Sequence, residues 1–236
     1  MRYAETWDWL STSPMLGFTL TLAVYVGARW LFVRTGHHAV LQPVLVCIVV
    51  IGSFLLLADV SYSDYFQGAS AIHFWLGPAT VALALPLHRE WERVRRAALP
   101  VLVGVGVGAV VSAFSAVLAT RWLGGTEALQ WTMAPKAATT PVSIAISEQI
   151  GGIAALTAVV TVIAGITGAV AGPALLSLVR VRDERARGLA LGASSHGIGT
   201  ARALHESPTE GAFSGLSMAL SALATSVVVP LVVALM

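Results

Sequence analysis

Two stretches of this chain, Ala97 to Thr120 and Gly151 to Val179, contain no Asp, Glu, Lys or Arg. Each is longer than the roughly 20 apolar residues that cross a bilayer core as a helix. Backbone at that depth has no water to bond, so only helices or closed barrels cross. The residue alternation of a barrel strand is absent, which leaves helices. Over the whole chain 56% of residues are hydrophobic and 11% charged, against about 25% charged in a soluble domain. Several spans are implied, with no room for a separate water-soluble domain.

Eight apolar segments can be marked out. They run from about Pro14 to Phe32, Ala39 to Leu57, Tyr65 to His88, Ala97 to Trp122, Leu129 to Ser147, Ile153 to Val179, Ala186 to His205 and Thr209 to Met236. The third is interrupted at Gly77-Pro78 and Pro86, the fifth holds Pro135 and Pro141, and the seventh breaks around Ser194 to Gly199. Gly104, Gly106 and Gly108 in the fourth make a small-residue face of the kind that lets helices approach closely. We therefore expect one all-α membrane domain over residues 13–236, a bundle of seven or eight segments with at least two broken or re-entrant. Residues 1–12 read as an interfacial lead-in anchored by Trp7 and Trp9 rather than a signal peptide. The single cysteine, Cys47, lies in an apolar run and is read as a packing residue.

Arginine placement sets the orientation. Arg29 and Arg34 flank the first loop, Arg89, Arg93, Arg95 and Arg96 fill the third, and Arg180, Arg182, Arg185 and Arg187 fill the sixth. By the positive-inside rule the first and third loops are cytoplasmic and the N-terminus is outside. Eight full crossings would put the four-arginine sixth loop on the wrong side. A fifth segment that returns to its own side, or is broken, removes the conflict.

Lys136 is the one lysine and lies within the fifth segment. Intramembrane charge is costly and often marks a binding site, although a lysine near an interface can also snorkel to headgroups. On a continuous helix Thr139, Thr140, Ser143 and Ser147 would form a polar stripe with it. Pro141 would free the carbonyl of Ala137. A cation, hydroxyls and open backbone suit a small carboxylate; hydroxyls bonded back to their own helix are the bland alternative. The seventh-segment break offers Ser194, Ser195, His196 and Thr200, with Arg202 beyond it. A helix restarting near Gly199 would aim free N–H groups at an anion, and discontinuous helices of this kind form the sites of secondary transporters. Arg202 is either a second counter-charge or the partner of Glu206 four residues on. Thr80, beside the third-segment interruption, is a further candidate.

A hydrolase reading of Ser194-Ser195-His196 fails, because neighbouring residues rarely aim at one another and no nucleophile elbow is present. The histidines show no metal-binding spacing. No cofactor or metal is called for, no enzymatic activity is expected, and arginines at run ends argue against nucleic acid as partner.

Four motifs carry a family resemblance. They are Leu76-Gly77-Pro78-Ala79-Thr80 running to Pro86-Leu87, Pro135-Lys136-Ala137-Ala138-Thr139-Thr140-Pro141, Ile146-Ser147-Glu148-Gln149-Ile150-Gly151-Gly152, and Arg187-Gly188-Leu189-Ala190-Leu191-Gly192 leading into Ser195-His196-Gly197-Ile198-Gly199-Thr200-Ala201. From about residue 14 onward the chain resembles the LrgB/CidB family of bacterial membrane proteins and the matching half of plastid glycolate/glycerate transporters. One departure is Ala137-Ala138, where relatives often carry a Ser-Val pair. The resemblance implies a multi-pass protein of the bacterial cell membrane. It implies either transport of small monocarboxylates such as glycolate, glycerate, lactate or pyruvate, or antiholin-like or holin-like control of murein hydrolases and autolysis. An LrgA/CidA-type membrane partner, a homo-oligomer and an elevator-type inverted-repeat architecture belong to the same expectation. The residues favour the carrier: a lone buried cation and paired breaks suit a selective site better than a nonspecific lesion.

Overall fold

The computed structural model describes residues 13–36, 41–75, 78, 81–82, 84–89 and 91–236. The interfacial lead-in and Thr80 lie outside the described residues. Every element among them is helical, and they fall into two units, residues 1–82 and 83–236.

The first unit holds α1 (Pro14–Arg34), α2 (Pro43–Leu57) and α3 (Tyr62–Phe74). Ser13 caps α1 through the Met15 amide, and Pro14 occupies the first turn, where its missing N–H costs nothing. At the other end the Arg34 guanidinium sits 4.4 Å over the Trp30 ring. α1 and α3 cross antiparallel and close: a Cβ on Gly17 would strike the Tyr65 carbonyl, and one on Gly68 the Pro14 carbonyl. Thr21 and Tyr65 share a hydroxyl bond of 2.8 Å at that crossing.

The second unit holds α4 (Ala84–Arg89), α5 (Trp91–Arg96), α6 (Ala98–Trp122), α7 (Glu127–Met133), α8 (Thr140–Ile150), α9 (Ala154–Leu178), α10 (Glu184–Glu206) and α11 (Pro208–Leu235). Among the described residues α1, α6, α9 and α11, with 21, 25, 25 and 28 residues, are long and apolar enough to cross a membrane. α2 is equally apolar but has 15 residues, about 22 Å at 1.5 Å per residue. The stretch from Tyr65 to His88 is not one element: α3 ends at Phe74 in the first unit and α4 belongs to the second.

α10 doubles back on itself. A straight helix would separate Gly188 from Leu204 by roughly 24 Å. Yet Gly188 packs on Glu210 and Leu204 on the adjacent Gly211, while Gly199 lies against the Leu191 carbonyl. The reversal is at His196, whose backbone takes φ 48° and ψ −133°. That region is sparsely populated for residues other than glycine, and such strain gathers at functional sites. The arm from Glu184 to Ser195 runs parallel to α11, and the arm from Gly197 to Glu206 runs antiparallel to it.

α7 and α8 make a second hairpin. Turn bonds carry α7 on through Ala138, and the chain reverses at Thr139 (ψ 149°). Ser143 then sits across from Pro135, Trp131 packs near Ile146, and Gly152 comes back to the Trp131–Thr132 backbone. The breaks expected in the fifth and seventh segments are therefore both helical hairpins.

The hairpins enter from opposite faces of the unit. α6 and α11 run parallel, since Val101 and Val105 pack with Phe213 near their starts, and Ala113 and Val117 with Val229 and Val232 near their ends. The first hairpin, residues 127–150, enters from the face where α6 and α11 end. The second, residues 184–206, enters from the face where they begin. Each is followed by a long helix, α9 or α11, so hairpin-plus-helix occurs twice in inverted order.

The topology conflict is resolved by this geometry. With residues 127–150 returning to their own face, the arginines at 180–187 share a face with those at 89–96. Arg96, Asp183, Glu184, Arg185 and Thr209 line one depression there, of about 410 Å³. The positive-inside rule expects that face to be the cytoplasmic one. The expectation for Gly104, Gly106 and Gly108 is corrected among the described residues, none of which a Cβ on any of them would meet within 4 Å. Close approach occurs instead at Gly188 and Gly192, where a Cβ would strike backbone of Glu210 and Ser214.

Candidate functional site

An arm of about a dozen residues reaches roughly 18 Å, a little beyond the middle of a core about 30 Å thick. The two tips meet there. The His196 imidazole Nε2 lies 2.9 Å from the Lys136 backbone carbonyl. A carbonyl can only accept, so Nε2 carries the proton and Nδ1 is left as the ring's acceptor.

α9 is notched to receive the second hairpin. A Cβ at Gly165 would come within 3.2 Å of the His196 Nδ1, one at Gly168 would strike the Ser195 hydroxyl, and one at Gly172 would crowd Leu191. On the other side Thr200 bonds the Ser214 hydroxyl at 3.0 Å, and Ser217 donates to the Leu189 carbonyl at 2.8 Å. The first hairpin is tied to α9 by Thr157, which donates to Ser147 at 2.7 Å, and by the Ile153 amide, which donates to the Thr132 hydroxyl. Such networks in a low-dielectric interior fix geometry because each member is costly to leave unmet.

The predicted residues separate into three groups. Lys136 and His196 meet directly, with Thr139 and Thr140 part-buried at the first tip and Ser195 and Thr200 buried at the second. Ser143 is fully buried but turned inward: its hydroxyl lies 2.7 Å from the Pro135 carbonyl and 3.0 Å from that of Ala138. The expected stripe from Lys136 to Ser147 thus does not form, since the chain reverses between its members. Pro141 sits in the first turn of α8 rather than inside a helix.

Ser194 is exposed, bonds the Ala190 carbonyl, and lines a groove of about 420 Å³ with Gly104, Gly108 and Ser112 of α6. Arg202 pairs with Glu206 at 2.5 Å on the returning arm, some 9 Å from the tip. Among the described residues no carboxylate pairs with the Lys136 ammonium, which is half-buried.

Sequence reasoning passed over the hydroxyls of the two long helices. Thr157 and Thr161 on α9, and Ser214, Ser217, Ser221 and Thr225 on α11, are all buried. Their three- and four-residue spacing inside apolar runs was the available signal. It also passed over Arg187, whose guanidinium bonds the buried Glu210 at 2.6 Å and reaches Ser177 and the Val181 carbonyl. That cluster joins α9, α10 and α11 at the base of the second hairpin.

Residues 21–235 match the LrgB-like family. YwbG of Bacillus subtilis is 35% identical over 92% of this chain and 96% of its own length. YxaC of the same organism is 37% identical over 91% and 93%. The B. subtilis antiholin-like protein LrgB is 29% identical over 94% and 96%. No solved structure matches. With this match across nearly the whole chain, and apolar helices long enough to span a bilayer, the protein is a multi-pass cell-membrane member of the LrgB-like family.

Proposed function

We propose that this protein is a non-catalytic membrane carrier for small monocarboxylates of the glycolate, glycerate, lactate or pyruvate type. The observation that carries the reading is the meeting of two hairpin tips, Lys136 on one and His196 on the other, with no acid among the described residues neutralising the lysine. An unpaired cation at that depth is costly, and a bound carboxylate removes the cost. Opposed hairpins give a carrier two gates, one facing each side. The inverted hairpin-plus-helix units suit alternating access by movement of one body against another, which is the elevator reading. Uptake of radiolabelled glycolate or lactate into proteoliposomes tests it: a carrier saturates and shows competition between carboxylates.

The second reading is an antiholin-like regulator of murein hydrolases acting with an LrgA/CidA-type partner. It is supported by the name of the 29% identical LrgB of B. subtilis. A pore of that class leaks neutral dye without saturation and discriminates little between solutes.

A further inference from the structure

Threonines within transmembrane helices normally bond back to the carbonyl four residues earlier. Thr19, Thr21, Thr120, Thr132, Thr157, Thr167 and Thr200 all do so, at 2.5–3.2 Å. Thr161 and Thr225 do not. Both are essentially inaccessible, at 0% and 1% exposure, and neither hydroxyl has a hydrogen-bond partner among the described residues. A buried hydroxyl without a partner is unfavourable, so two of them in one small unit call for an explanation.

Their placement supplies one. Thr161 lies one turn from Thr157, which holds the first hairpin, and one turn from Gly165, which receives His196 of the second. Thr225 lies one turn from Val229, which packs with Ile146 of the first hairpin. Towards the start of α11, Met218 is the residue nearest Gly197 of the second. Each hydroxyl therefore stands on the buried stripe of its helix, between the residues of that helix that meet the two hairpins. One belongs to the helix after the first hairpin and the other to the helix after the second.

We infer that Thr161 and Thr225 are specificity-determining residues that bind the 2-oxygen of a 2-hydroxy or 2-oxo acid whose carboxylate is held at Lys136. This rests on the carrier reading above. A hydroxyl can donate to a keto oxygen and accept from an alcohol, so it serves both substrate types. A site built to bond such a group rejects the analogue that lacks it, because its own polar atoms are then stranded. The substrate class this selects is glycolate over acetate and lactate over propionate.

The test uses the full chain in proteoliposomes, with Thr161→Val and Thr225→Val removing the hydroxyl at constant shape and Thr→Ser at each position restoring it. Thermal unfolding in detergent confirms that each variant is folded. For each Val variant KM for glycolate should rise roughly five- to tenfold, the worth of one neutral hydrogen bond, with acetate uptake rising because no hydroxyl is then stranded, and the Ser variants close to the parent. Unchanged glycolate-to-acetate discrimination in both folded Val variants overturns this inference and leaves the carrier reading standing. Equal loss for glycolate and acetate also overturns it, since it marks a packing role. Absence of saturable uptake in the parent overturns both readings.

Discussion

The His196 ring donates through Nε2 to the backbone carbonyl of Lys136 at 2.9 Å, across sixty residues of chain. That bond joins the tips of two hairpins that enter from opposite faces, each also anchored to its own long helix. His196→Ala leaves the Lys136 carbonyl unmet in a buried setting, at a cost of about 1–3 kcal/mol. Carboxylate uptake should fall at least tenfold while the protein still inserts, which uptake assays and thermal unfolding in detergent check together.

Glycine contacts predict a sharp contrast in stability. A Cβ at Gly192 would strike the Ser214 carbonyl, whereas one at Gly106 meets none of the described residues within 4 Å. Gly192→Ala should therefore destabilise by about 1–3 kcal/mol, the usual cost of forcing apart a packed contact. Gly106→Ala should be neutral or slightly stabilising, because alanine is the better helix former. Unfolding in a denaturant series compares the two.

The buried pair at the base of the second hairpin makes a further prediction. Arg187 and Glu210 bond at 2.6 Å with side chains 16% and 4% exposed. Removing either partner strands the other charge and should cost about 3–5 kcal/mol. Arg187→Met with Glu210→Leu should cost much less than the sum of the single changes, and a double-mutant cycle on thermal stability measures the coupling.

Acid should loosen the start of the second hairpin. The Arg185 guanidinium and the Arg185 and Ala186 amides hold the Asp183 carboxylate below the usual carboxylate range, at about 2. A folded-state value below the unfolded one means the cap's contribution is complete above the unfolded value and is lost as pH falls through about 2. Hydrogen-exchange protection of the Arg185 and Ala186 amides, taken relative to an unstructured amide at the same pH, should fall over that window, and Asp183→Ala should remove the dependence. The pair is solvent-screened, so global stability should move little.

Much of this fold was legible in the sequence, for identifiable reasons. The ends of α1, α6, α9 and α11 fall within two residues of the apolar-run boundaries, because charge and length alone dictate where a helix leaves lipid. The return of residues 127–150 followed from the side on which Arg180 to Arg187 had to lie. The reversal at His196 was not legible beyond an interruption. Whether a chain rich in glycine continues or turns back depends on tertiary partners, here Ser214 against Gly192 and Leu204 against Gly211. The polar stripe from Lys136 to Ser147 failed for the same reason: its geometry assumed one helix, and Thr139 begins another.

The most direct test of the account is saturable uptake of radiolabelled glycolate or lactate into proteoliposomes holding the parent, Lys136→Ala or Lys136→Arg. The account predicts saturable, mutually competitive uptake by the parent and a drop to near background for Lys136→Ala with insertion intact. Lys136→Arg should be impaired rather than rescued, since a planar fork does not replace a compact ammonium. Parent-like uptake by Lys136→Ala at limiting substrate would contradict the account and reduce Lys136 to a side chain snorkelling towards the headgroups.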